Sequence, residues 1–126
     1  MDSETLLLSQ IHPNFVQNGR PTSQAFRPTP KDECLLSVDD GSKILPRPSW
    51  ERYTSPLDCQ SAGVMAITFA ECSVEGLPVV EDGNPFPEHC SIDFSNLTKS
   101  SIEKKAKVLV QCAIQRDWLF KVSQQA

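Results

Sequence analysis

Residues 63–72 read GVMAITFAEC, and they decide the fold class. Side chains alternate across a strand, so Val64, Ala66, Thr68 and Ala70 share one face. Met65, Ile67, Phe69 and Glu71 share the other. Both faces are largely apolar. A strand of that kind belongs inside a sheet covered on each side. The expected strand runs from Gly63 to Cys72.

Toward the C-terminus, Leu77-Pro78-Val79-Val80 reads as a short strand, and Pro78 favours a sheet edge because it has no N–H to give. His89 to Phe94 alternates, with Cys90, Ile92 and Phe94 on one face and His89, Ser91 and Asp93 on the other. Ser100-Ser101-Ile102-Glu103 fits a capping box with Ser100 at the N-cap. Ile102, Ala106, Leu109 and Ala113 then recur at helical spacing, which predicts a long helix ending near Arg116. Trp118 to Val122 reads as a last strand at an edge.

Toward the N-terminus, Cys34-Leu35-Leu36-Ser37-Val38 reads as a strand, closed by a turn at Asp39-Asp40-Gly41. Pro48 to Tyr53 makes one or two helical turns between Pro46 and Pro56. Residues 2–10, DSETLLLSQ, read as a short helix capped by Asp2 or Ser3 and ended by Pro13. Scattered strands with one long late helix predict an α+β fold. The expected molecule is a small, mainly antiparallel sheet, with the long C-terminal-half helix packed on it and a long, ordered, Pro-rich N-terminal loop.

The chain has 126 residues, the size of one domain, and residues 1–126 are expected to form it. Ten prolines against five glycines favour rigid, irregular connections. The net charge of −4 argues against a general grip on nucleic acid. Charge is unevenly placed. Lys and Arg are absent from Glu71 to Asp93, where acids concentrate, whereas Lys99 to Lys121 is mostly basic.

The five cysteines (Cys34, Cys59, Cys72, Cys90 and Cys112) are odd in number and widely spaced. They read as reduced thiols packed as small apolar groups, and no pair has zinc-ligand spacing. Leu6-Leu7-Leu8 is too short for the apolar core of a secretory signal, and acids stand ahead of it. No apolar run approaches the ~20 residues needed to span a bilayer. The expectation is a cytoplasmic chain without a membrane partner.

Candidate chemistry concentrates between His12 and Asp40. Arg20, Thr22, Ser23, Arg27, Thr29 and Lys31 combine guanidinium forks, an amine and hydroxyls, a set that suits a phosphate or carboxylate. Phe15, Val16, Ala25 and Phe26 are apolar anchors that would tack this loop to the body, and Asn18-Gly19 is a turn signal. No glycine-rich phosphate cradle is present. His12 and His89, with Lys31 or Asp93 nearby, would supply acid–base chemistry if the fold brought them together. Trp50 and Tyr53 would stack a base or anchor a protein partner.

Two functions follow. One is a small intracellular interaction or accessory protein, a neutralising or regulatory subunit that docks on a larger protein partner. The other is a small phosphate-handling enzyme, a nuclease or nucleotide-using transferase. Its site would lie under the 12–40 loop, with His12, His89 and Asp93 catalytic. Arg20, Thr22, Ser23, Arg27 and Lys31 would hold the phosphate-containing ligand. The sequence names no cofactor.

Overall fold

A computed structural model describes residues 1–28 and 33–122. Its strands are β1 (Leu6–Gln10), β2 (Val16–Gln17), β3 (Arg20–Pro21), β4 (Leu35–Asp40), β5 (Gly63–Thr68), β6 (Val79–Val80), β7 (His89–Asp93) and β8 (Phe120–Lys121). Its α-helices are α1 (Pro46–Thr54), α2 (Phe69–Val74) and α3 (Lys99–Arg116). Six strands form one sheet in the order β6-β7-β4-β1-β5-β8. Every neighbouring pair is antiparallel, so the fold is α+β as expected.

The long helix covers one face of the sheet. Leu7, Val38, Met65, Ile67, Cys90 and Ile92 meet Ala106, Leu109, Val110 and Ala113 of α3 in the main core. Full burial of each large side chain stabilises by roughly 1.5–3 kcal/mol. The other face is covered over only part of its width. There Leu8, Val64 and Ala66 pack with Trp50 of α1 and Phe120 of β8. Both faces of β5 are therefore buried, as its sequence requires.

Residues 2–10 do not form the expected helix. Leu6 to Gln10 is a strand between β4 and β5, with Leu7 in the main core and Leu8 in the cluster on the other face. The N-cap signal at Asp2 is used in a turn, where its carboxylate accepts from Glu4 N–H at 3.0 Å. A short apolar run carries no period that separates a helix from a central strand.

The strand from Gly63 also stops early, at Thr68, and the chain turns into α2. Thr68 Oγ1 accepts from Glu71 N–H at 3.1 Å, and Glu71 Oε1 accepts from Thr68 N–H at 2.8 Å. This reciprocal capping box lay in the sequence as T-x-x-E. Thr68→Ala should cost about 1 kcal/mol, read as a lowered urea midpoint with unchanged slope. An unchanged midpoint would show that the box does not hold α2.

The long helix begins two residues earlier than expected. Thr98, not Ser100, is the N-cap, and its hydroxyl accepts from Ser101 N–H at 3.2 Å. Leu97 and Ile102, on either side of the cap, both pack on the main core, which fixes the entry point. The end at Arg116 is as expected. Arg116 Nη1 and Nη2 form a bidentate pair with Glu71, both at 3.1 Å. Nη1 also donates to Ala66 C=O at 2.8 Å, so this side chain ties α3, α2 and β5 together.

Within the long N-terminal loop, β2 and β3 form a small hairpin around Asn18-Gly19. Both turn residues have positive φ, +54° and +77°, which Asn and Gly tolerate. A 3₁₀ turn at Ser23–Phe26 then buries Ala25 and Phe26 against the main core. Among the described residues, no helix is long and apolar enough to cross a membrane.

Candidate functional site

The sheet contains a break. β1 pairs β5 over Leu6 to Gln10, and β4 pairs β7 over Leu35 to Asp39. Between β1 and β4, pairing covers only Leu7↔Asp40 and Leu8↔Asp39. Main-chain direction alternates along a strand. Ile11 bonds toward Gly63 and Ala62, and Leu6 C=O accepts from Gly41. The even residues of β1 therefore face β4. Cys34 and Asp40 bond toward β7, so the odd residues of β4 face β1. Gln10 and Ser37 would be the next hydrogen-bonded pair, and they do not pair. Their main-chain edges look into the gap.

A groove of about 440 Å³ lies over this gap. Gln10, Ser37, Leu35 and Asp39 line its floor, Ser49, Arg52 and Tyr53 of α1 form one wall, and Pro85, Phe86 and His89 form another. Arg27 and Pro28, carried in by the buried 3₁₀ turn, reach one end.

A polar chain crosses the wall. Gln10 donates to Ser49 Oγ at 3.0 Å, and Ser49 donates to Asp39 at 2.6 Å. Arg52 donates to the same Asp39 oxygen at 3.0 Å and also pairs with Glu88. Its guanidinium stacks 4.0 Å above the Phe86 ring. These bonds fix α1 and the 81–88 loop relative to the sheet.

His89 Nδ1 lies 2.6 Å from Asp82, and Ser91 donates to the other Asp82 oxygen at 2.7 Å. Burial opposes the charge of Asp82, but the bonds from His89 and Ser91 outweigh it and hold its carboxyl below the usual range. A depressed carboxyl stabilises the fold above its unfolded pKa, and that contribution is lost as pH falls through the folded value. Asp82→Asn should therefore weaken the fold at neutral pH and leave it little changed at the acid end. Thermal melts of both proteins from neutral to acid pH test this, and parallel curves would contradict it.

Only some of the expected site residues meet. Arg27 and His89 share the groove with Tyr53. His12 instead caps a short 3₁₀ turn at Pro13–Phe15, where its Nδ1 accepts from Asn14 N–H at 3.0 Å and its ring tilts against Phe15. Arg20 is exposed on the small hairpin. Asp93 accepts from Ser95 N–H at 2.8 Å in a local turn. Ser23 Oγ accepts from Arg27 at 3.5 Å. Thr22 Oγ1 and Arg27 Nε are buried without a hydrogen-bond partner among the described residues. Lys31 and Thr29 lie outside the described residues.

Trp50 packs rather than presents. Its Nε1 donates to Ser61 C=O at 3.0 Å, and its ring lies 5.1 Å from Phe120. The expected site residues did not include Asp39, Ser49, Glu88 or Asp82. The alternation of Ser37 and Asp39 with Leu36 and Val38 was the one available sign that this face of β4 is not fully covered.

All five thiols are free. Burial pushes Cys72 up to about 12 and Cys90 up to about 11, so neither supplies a thiolate at neutral pH. Among the described residues, no three His, Cys, Asp or Glu side chains come together as a metal site. Compared with known proteins, the chain matches no family model, no curated protein and no solved structure.

Proposed function

We propose that this chain is a small cytoplasmic interaction protein that docks on a larger protein partner by taking an extended segment of it in the groove between β1 and β4. The observation that carries this is the interrupted ladder. Gln10 and Ser37 direct main-chain groups into an open groove, while the outer ladders on both sides continue. Unpaired strand edges take up extended peptides through main-chain hydrogen bonds, with side-chain pockets adding selectivity. Tyr53 and Phe86, 42% and 41% exposed, stand at the walls as apolar contacts for such a segment. Five unbridged cysteines support the cytoplasmic compartment.

Selection of random linear peptides on the full chain tests the proposal. The expected ligands slow amide exchange at Gln10 and Ser37 and lose binding when Ser37→Trp fills the groove. Absence of ligands, or protection confined to another surface, would overturn it.

A phosphate-handling enzyme is the second reading, supported by His89, oriented through Asp82, in the same groove as Arg27. Turnover of single-stranded RNA or nucleoside triphosphates that disappears in both His89→Ala and Arg27→Ala would favour it. No turnover by the unaltered chain removes it.

A further inference from the structure

The groove is electrically lopsided. At one end a single guanidinium, Arg52, serves two carboxylates, Asp39 and Glu88. Their side chains are only 13% and 15% exposed, so bulk solvent and salt screen them incompletely. Next to them Asp82 adds a third carboxylate, shared between His89 and the Ser91 hydroxyl. Negative charge is in excess at this end whether His89 is neutral or protonated. Among the described residues, Arg27 at the far end has one distant acid, Glu103 at 3.9 Å, and a buried Nε–H without an acceptor. That donor suits a peptide carbonyl.

We infer that the extended segment taken by the groove carries a lysine or arginine side chain at the end lined by Asp39 and His89, an inference that rests on the docking reading above. The ammonium or guanidinium supplies the positive charge that Asp39, Arg52 and Glu88 lack as a set. The exposed Tyr53 ring on the adjoining wall gives the aliphatic stem a surface to lie on. Complementary charge of this kind selects partners and speeds encounter more than it adds raw affinity.

The test selects displayed random peptides in parallel on the full chain and on its Ser37→Trp variant, with Tyr53→Ala as a second groove variant should Ser37→Trp fail to fold. The expected pool is specific to the unaltered chain and carries a basic residue at one fixed position. Replacing that residue by Gln in a synthetic peptide should weaken binding about tenfold, and the difference should shrink in high salt. Glu88→Gln should reduce the preference for Lys over Gln at that position. A groove-specific pool without a basic position, or one in which Gln binds equally well, overturns this inference and leaves the docking reading standing. Basic peptides that bind the unaltered chain and the groove variant alike overturn it too, because they then report only the net charge of −4. No groove-specific pool overturns both.

Discussion

Gly63→Ala should cost the fold about 2–5 kcal/mol and loosen the β8 edge of the sheet. Gly63 opens β5 at φ +154°, a conformation that side chains other than glycine rarely adopt. An added Cβ would lie 2.3 Å from Phe120 C=O, 2.9 Å from Lys121 Cα and 3.0 Å from the Trp118 ring. Two of these neighbours are backbone, so relief requires β8 to move away from β5. That movement would expose Trp50, whose ring packs on Phe120. Urea unfolding followed by tryptophan fluorescence should show a lower midpoint and a red-shifted native spectrum. Gly76→Ala separates strain from crowding. Gly76 has φ +69° but nothing within 4 Å of the added carbon, so its cost should be about 1 kcal/mol. Equal losses at the two positions would refute the crowding account.

Phe26→Ala should be comparably severe, at about 3–5 kcal/mol. The ring is fully buried in the main core, although it comes from a loop rather than from a helix or strand. Truncation leaves a cavity between the 3₁₀ turn at Ser23–Phe26 and α3. Phe15, only half-buried, should cost distinctly less when truncated. The two variants therefore measure how firmly the loop is held. If Phe26→Ala lost under about 1 kcal/mol, the 3₁₀ turn could not be a fixed part of the core. A second readout follows from position. Phe26 anchors the turn that carries Arg27 and Pro28 to the groove, so Phe26→Leu, which should still fold, ought to speed amide exchange at Arg27.

The groove was less legible in the sequence than the fold. His89 and Arg27 were picked out for their chemistry, and they do share it. His12 and Asp93 were chosen on the same grounds, but local backbone amides hold both elsewhere. The difference lies in where the chain leads each residue, which residue type does not encode. Arg52 and Asp39 are thirteen residues apart, on a helix and a strand, and only the packing of α1 on the sheet joins them. Asp82 reaches His89 because the 81–88 loop folds back on β7.

Local chemistry determined much of this protein by itself. The helical repeat from Ile102 to Ala113 specified α3 and its buried face. Alternation specified β7, and Asn18-Gly19 specified the small hairpin. Each is settled within a few residues by steric preference and by which side chains avoid water. Tertiary structure decided the rest. Leu6 to Gln10 became a strand because β4 and β5 were there to pair with it and cover it. The strand from Gly63 ended at Thr68, where Arg116 reaches over from α3 to hold both Glu71 and the Ala66 carbonyl. The gap between β1 and β4 exists only because pairing that begins at Leu7 and Leu8 is not continued at Gln10. No residue along the chain announces that break, since a missing hydrogen bond belongs to two distant segments at once.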